Sequence, residues 1–249
     1  MKYMMLIYME PNAMTDAQRE DCFVESTQLA HNLAASGQYL GANPLHPTTT
    51  ATSVRVRDGK TLVTDGPFME TREHLGGYFL IDAKNREEAI GIAARIPGAR
   101  KGTVEVRPVQ EIPVLSGAVA DRRVDGAGGK RYLLLCYTDE KHWQKVGEAA
   151  RQKAIEQAVQ QTQQIIAKGQ YLSSAPLQPT STAISVRVRD GKQLVTDGPF
   201  AETREQLGGY YHIDAKDLDE AIGIAARLKT CEGTIEIRPI LELTGLPNG

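Results

Sequence analysis

The sequence has few of the features that mark a specialised class of protein. Its 249 residues include three isolated cysteines, Cys22, Cys136 and Cys231, and an odd number without shared spacing argues against a disulfide framework. The formal net charge of −2 gives no field that would hold nucleic acid or an anionic membrane. No apolar run approaches the roughly 20 residues of a membrane helix. We therefore expect a reduced, cytoplasmic protein without nucleic-acid or membrane partners.

The usual motifs of metal and nucleotide sites are also missing. The chain has no HxH, HExxH or CxxC pattern, so we expect no transition-metal site. The glycine pair Gly76-Gly77 lacks the strand–GxGxxG–helix context of a dinucleotide fold. The sequence thus predicts no cofactor.

What the sequence does have is an internal repeat. Residues 53–83 align without gaps with residues 185–215 at an offset of 132, and five of these 31 positions differ. Both copies contain VTDGPF, and the likeness extends outward to the first strand, the second helix and the last strand, whereas the first helix has diverged. We predict two domains, 1–113 and 131–249, joined by a flexible Gly- and Ala-rich linker over 114–130.

Within one copy, the pattern predicts the order strand, helix, short strand over 38–42, hairpin, strand, helix, strand. The apolar run 3–9 is typical of a buried strand, and Thr15 to Gln18 form a capping box that begins a helix. A second helix is predicted to follow Asn85, and Asp58-Gly59 to turn a hairpin. This order predicts an α+β fold of ferredoxin-like units, with the helices on one face of each sheet.

The second face of each sheet is predicted to be partly buried. Val54, Val56, Val104 and Val106 alternate with charged residues and suit the helix-covered face. Residues 78–81 are apolar at every position, so the opposite face also needs a cover. We expect the two sheets to face each other as a pseudo-dimer within one chain, around a barrel-like interface, and further homo-oligomerisation remains open.

These segments closely resemble the DGPF family, a branch of the YCII-related proteins. The resemblance rests on VRVRDGK, VTDGPF, ETRE, LGGY, DEAIGIAAR and VEVRP and covers nearly all of both copies. It implies a dimeric α+β barrel. It also implies a regulatory role, because genes of this family often lie beside those of extracytoplasmic-function sigma factors. The His–Asp pair of other YCII proteins is not carried over, since residues 15–22 lack the stretch that contains the histidine.

Asp65 and Asp197 open the two Asp-Gly-Pro-Phe segments and are the candidate catalytic residues. In one interpretation each carboxylate lies at the lip of the barrel cleft as a general base or as a ligand of a cation. In the other, which we favour, each carboxylate caps a turn. Glu70 and Arg72, with their counterparts in the second copy, are second-choice candidates.

Six arginines and two tyrosines are the candidate ligand-binding residues. The arginines either hold an anionic ligand or pair with acids such as Glu105 and Glu236, and the tyrosines either line the cleft or pack. His46, His74 and His212 each occur in one copy only, which favours surface or packing roles. The arginines and tyrosines are Arg55, Arg57, Arg107, Arg187, Arg189, Arg238, Tyr8 and Tyr137.

Two functions follow from these observations. In the first, the protein binds a small polar or anionic molecule, such as an organic acid, in the barrel cleft and acts on it by acid–base chemistry. In the alternative, it is a regulatory partner of an extracytoplasmic-function sigma factor, and the diverged first helices provide the protein surface.

Overall fold

The computed structural model describes residues 1–68, 71–112, 129–201, 203–228 and 233–248. Almost all of the predicted linker lies outside these ranges, as do Glu70 and Glu202. None of the helices within these ranges combines the length and the apolar content that a membrane crossing requires.

Each copy folds in the predicted order of elements, and the second copy has one additional helix. The first copy consists of β1 (Lys2–Met9), α1 (Asp16–Ala35), β2 (Tyr39–Pro44), β3 (Thr52–Arg57), β4 (Lys60–Asp65), β5 (His74–Asp82), α2 (Arg86–Arg95) and β6 (Thr103–Pro108). The second copy consists of β7 (Lys130–Thr138), α3 (Glu140–Lys145), α4 (Glu148–Ala167), β8 (Tyr171–Pro176), β9 (Ile184–Arg189), β10 (Lys192–Asp197), β11 (Gln206–Ala215), α5 (Leu218–Arg227) and β12 (Thr234–Pro239).

The starts of the helices follow from local chemistry. Thr15 accepts from the Gln18 N–H while the Gln18 side chain accepts from the Thr15 N–H, which is the capping box that the sequence predicts. Asn85 and Asp217 cap α2 and α5 in the same way, each accepting from the N–H three residues later. The short helix α3 has no counterpart in the first copy and was not predicted.

The hairpin of each copy belongs to the sheet of the other copy. One sheet has the strand order β10-β9-β6-β1-β5-β2, and the other has β4-β3-β12-β7-β11-β8. Val186 of β9 pairs with Val104 of β6, and Val54 of β3 pairs with Ile235 of β12. The sequence analysis did not predict this exchange, because the hairpin pattern is the same whichever sheet receives it.

The two sheets join into a closed barrel. Backbone bridges connect Leu45 with Ile240 and Val109 with Leu177, so the end of β2 meets the end of β12 and the end of β8 meets the end of β6. The closed path is β6-β1-β5-β2-β12-β7-β11-β8. Eight strands leave an interior that side chains can fill, and an apolar cluster from both sheets fills it. The predicted α+β pseudo-dimer of facing sheets is confirmed.

The outer face of each sheet is covered by helices and by the exchanged hairpin. Val186 and Ile184 of the second copy are buried in the cluster that α1 and α2 cover, together with Val104 and Val106. Val54 of the first copy lies in the corresponding cluster of the second copy. Val56 was predicted to be covered but is 47% exposed, because it lies near the tip of the hairpin, beyond the part of β3 that pairs with β12.

The crossing of the hairpins between the two copies predicts which copy a cavity in the hairpin's core contact destabilises. We expect Val186→Ala to lower the free energy of unfolding by about 2 kcal/mol, because it removes buried methyl groups and leaves a cavity. Since Val186 packs in the helix-covered core of the first copy, amide hydrogen exchange should accelerate most in α2. Val195→Ala, at an exposed position of the same hairpin, should change neither quantity measurably. Faster amide hydrogen exchange confined to α5 would contradict the crossing of the hairpins between the two copies.

Candidate functional site

Each copy has one buried ion pair on the barrel side of its last strand. Arg107 Nη1 lies 3.1 Å from Glu105 Oε1, and Arg238 Nη1 lies 3.2 Å from Glu236 Oε1. All four side chains are at most 5% exposed. Each guanidinium also donates to backbone carbonyls: Arg107 to those of residues 178 and 207, and Arg238 to that of His46. These arginines therefore pair with acids on their own strands.

The second oxygen of each buried carboxylate binds the Asp-Gly-Pro-Phe segment of the other copy. The Phe200 N–H donates to Glu105 Oε2 at 2.8 Å, and the Phe68 N–H donates to Glu236 Oε2 at 2.9 Å. Gly198, two residues before Phe200, has a φ of 106°, a left-handed conformation that glycine adopts without strain. The segment thus turns so that its phenylalanine meets a glutamate of the opposite half.

The two phenylalanines in turn cover the candidate tyrosines. Phe200 stacks on Tyr8 with ring centroids 4.6 Å apart, and Phe68 lies 5.2 Å from Tyr137. Burial, and then the nearest glutamate, raise the pKa of each tyrosine well above its ordinary value near 10. Both phenols therefore stay protonated at neutral pH, where they can donate hydrogen bonds but cannot act as bases.

The barrel interior has little free space. The cavity enclosed by Tyr8, Tyr137, Glu105 and Arg107 measures about 20 Å³, which is room for about one water molecule. An organic anion does not fit there while these side chains stay in place. A ligand in the predicted barrel cleft would therefore require these side chains to move, and its position there stays a prediction.

The remaining candidate arginines lie nearer the surface. Arg55 donates to Glu205 at 2.7 Å and to Thr234 at 2.8 Å, and Arg187 donates to Thr103 at 2.7 Å. Arg189 donates to the carbonyls of residues 99 and 102, which fixes the hairpin to the opposite half. Arg57 is exposed. The structure does not bring these four arginines together around a common ligand position.

Asp65 and Asp197 are exposed at the ends of the edge strands β4 and β10. Asp197 forms an exposed ion pair with Arg86. The turn after Asp65 is held by the Gly66 N–H, which donates to the carbonyl of residue 51, and by the Ser53 hydroxyl, which donates to the Gly66 carbonyl. Both carboxylates are therefore accessible from the surface. Their catalytic role stays a prediction.

A much larger cavity, of about 510 Å³, lies between α1 and the outer face of the first copy's sheet. Its walls are mainly apolar, and the C-terminal segment of the second copy contributes to them with Leu243 and Leu246. That segment is held against α1 by a 2.7 Å hydrogen bond between His31 Nε2 and the Gly245 carbonyl. We call this cavity the α1 pocket. Sequence reasoning missed it, because its walls come from both ends of the chain.

The polar groups of the α1 pocket gather near the strand ends. Thr48 Oγ1 and His74 Nδ1 are 3.0 Å apart, and Arg238 reaches the same region through its bond to the His46 carbonyl. Cys22 lines the opposite wall, and burial raises the pKa of its thiol, so the thiol stays protonated at neutral pH. The signal in the sequence was the presence of His46 and His74 in the first copy alone.

Across the described parts of the chain, no three His, Cys, Asp or Glu side chains come together in a way that would hold a metal ion.

The buried ion pairs predict a large difference between two charge-removing substitutions. We expect Glu236→Gln to lower the free energy of unfolding by about 3–5 kcal/mol, because it leaves Arg238 charged and buried without its partner. Asp197→Asn removes one member of the exposed pair with Arg86 and should cost no more than about 1 kcal/mol. Chemical denaturation of the two variants measures both values. Equal effects would show that the buried pair contributes no more than a surface pair.

This chain resembles known proteins in sequence and, more weakly, in structure. A model of the YCII-related domain matches residues 1–113 and 130–244. An uncharacterized protein of Rhizobium meliloti (strain 1021) is 35% identical over 112 residues, which are 44% of this chain and 90% of that protein. A heme-binding protein from Thermus thermophilus (11% identity, TM-score 0.45) and a mutant chlorite dismutase from Candidatus Nitrospira defluvii (8%, 0.45) each align over 97% of this chain and 91% of their own. Such low TM-scores carry no functional argument. The chain belongs to the YCII-related family and contains its domain twice.

Proposed function

We propose that this protein binds a small organic molecule in the α1 pocket. The observation that carries the proposal is the pocket itself: its 510 Å³ lies within the range of roughly 300–1,000 Å³ that is typical of ligand sites. The space beside the buried ion pairs holds about one water, so the α1 pocket is the better place for an organic ligand.

The distribution of polar and apolar groups favours an amphipathic ligand. Phe23, Phe79 and Leu243 line the pocket and suit the apolar part of a ligand, because moving apolar surface of the ligand out of water favours binding. Thr48, His74 and Arg238 line one part of the wall and suit a polar end. A few convergent polar groups in a mainly apolar pocket are what orients a small ligand.

Of the titratable side chains that line the pocket, which also include Glu10, Cys22 and His46, His74 is the one to which we assign acid–base chemistry on that ligand. Its imidazole lines the α1 pocket and is oriented by the Thr48 hydroxyl, which is the arrangement expected of a proton-transfer group. Asp65 and Asp197 do not line this pocket. The acid–base part of the proposal therefore rests on one histidine of the first copy.

A bulky side chain introduced into the α1 pocket should prevent the ligand from binding. We expect Ser26→Phe, which places a ring in the α1 pocket, to abolish the rise in melting temperature that binding produces, a rise worth about 2.7 kcal/mol at 100 times the Kd. Val24→Phe, at a 69% exposed position of the same helix, is the control and should keep the full rise. Thermal-shift screening of small organic acids and amphipathic molecules identifies the ligand. A ligand that stabilises Ser26→Phe as much as the parent protein does not bind in this pocket.

The regulatory alternative uses the outer faces of the first helices. Val24 of α1 is exposed, whereas α4 exposes Ile155 and Ile166, so each half offers a partner a different apolar surface. On this alternative, the full-length protein should retain a sigma factor encoded beside its gene in a pull-down. Val24→Glu should weaken retention if α1 is the contact surface, and the parent protein retaining no sigma factor would exclude the partnership.

A further inference from the structure

We propose that the ligand of the α1 pocket is an amphipathic carboxylic acid whose carboxylate binds beside Thr48 and Arg238. This inference rests on the proposed function and names the class of molecule that the pocket takes. It comes from comparing the two halves of the chain, because the second half contains a carboxylate of its own at the equivalent place.

In the second copy this carboxylate belongs to Glu140, the first residue of α3. Its Oε1 accepts from the Thr180 N–H at 2.8 Å, and its Oε2 accepts from the Thr180 hydroxyl at 2.8 Å. Arg107 Nη2 lies 3.9 Å from Oε1. A threonine N–H, a threonine hydroxyl and a guanidinium together form a site for a carboxylate.

The first copy has the same donors in the same backbone geometry. Thr48 corresponds to Thr180, and both begin a 3-10 turn after a proline whose φ and ψ agree within one degree, at −51° and 151° for Pro47 and −52° and 151° for Pro179. The N–H of Thr48 is therefore presented as that of Thr180 is, and the Thr48 hydroxyl belongs to the same kind of turn.

The guanidinium is repeated as well. Arg238 donates to the carbonyl of residue 46, just as Arg107 donates to that of residue 178. Arg107 lies within ion-pair distance of both Glu105 and Glu140, which shows that an arginine in this position accommodates a second carboxylate besides the one on its own strand. Arg238 and Glu236 repeat the first of these two pairs.

What differs is the segment that supplies Glu140. After β1 the first copy continues through Glu10 and Pro11, which line the α1 pocket, to the start of α1 at Asp16. Its Thr48 hydroxyl meets His74, whereas the residue at the position of His74 in the second copy is Gln206, which accepts from the Glu140 N–H. The place that Glu140 occupies in one half thus corresponds to part of the open pocket in the other.

The remaining walls define the other end of the ligand. From Thr48 and Arg238 the pocket extends to the apolar side chains of Phe23, Leu243 and Leu246. Two further charged residues line it, and each has an ion-pair partner within the protein: Glu10 pairs with Arg72, and Arg19 pairs with Asp16. A molecule that repeats the contacts of Glu140 and fills this space has a carboxylate at one end and an apolar body at the other.

The test compares octanoate with octanamide, which has the same chain and no charge. Both probes are titrated into the full-length protein by calorimetry, and alkylation of Cys22, which lines the pocket, is followed by peptide mapping as an independent measure of occupancy. We expect octanoate to bind about tenfold more tightly than octanamide and to protect Cys22, because hydrogen bonds and ion pairs to a charged group are stronger than those to a neutral one.

Paired variants locate the carboxylate. Thr48→Val should reduce the affinity for octanoate about tenfold and bring it close to that of octanamide, and Thr48→Ser, which keeps the hydroxyl, should restore it. Thr180→Val, the same change at the position that holds Glu140, is the matched control and should leave octanoate binding unchanged.

Three outcomes overturn the inference, and all of them are distinguishable from failure of the proposed function. If octanamide binds as tightly as octanoate, or if Thr48→Val and Thr180→Val affect octanoate equally, the carboxylate does not bind at Thr48, although a ligand still occupies the pocket. If neither probe protects Cys22, the acid is the wrong class of ligand. The proposed function itself fails only if every stabilising ligand binds Ser26→Phe as well as the parent protein.

Discussion

The fold depends on the burial of two carboxylates, Glu105 and Glu236. A buried carboxylate is tolerated only when its charge and its hydrogen-bonding capacity are satisfied. An arginine on the same strand satisfies one oxygen, and the N–H of a phenylalanine from the other copy satisfies the second. The preceding proline has no N–H to offer, so the phenylalanine provides the donor. Each half therefore completes the polar core of the other, and the hairpin that precedes the motif crosses between the halves.

Much of the fold could be predicted from the sequence, because the relevant signals are local. The capping box at Thr15, the Asp58-Gly59 turn and the alternation in β3 each report on a few neighbouring residues, and the structure has these elements where they were predicted. The hairpin exchange could not be predicted in this way. Val54 has an apolar partner on either sheet, and only the three-dimensional path of the chain decides which sheet receives it.

The site was less predictable for the same reason. The sequence singled out Arg107 and Arg238 but could not distinguish a binding site for an anionic ligand from an ion pair within the protein. Both arrangements need an arginine on the inner face of the barrel. The α1 pocket depends on Leu243, more than 200 positions away from α1 in the chain. His46 and His74 both line the α1 pocket, yet a histidine that occurs in one copy of a repeat is as easily a surface residue. Only the pocket around these two histidines distinguishes the two cases.

The two halves of a duplicated chain are free to differ in a way that a symmetric dimer is not. The Rhizobium meliloti relative is about as long as one copy, and two identical subunits would carry identical sites. In this chain, the turns at Thr48 and Thr180 keep the same geometry, while α3 brings Glu140 onto the second of them alone. A carboxylate that the protein supplies itself needs no ligand, so the second half gains a stabilising contact and the first half keeps an open pocket. Duplication thus separates the structural use of one carboxylate-binding turn from its use in binding a ligand.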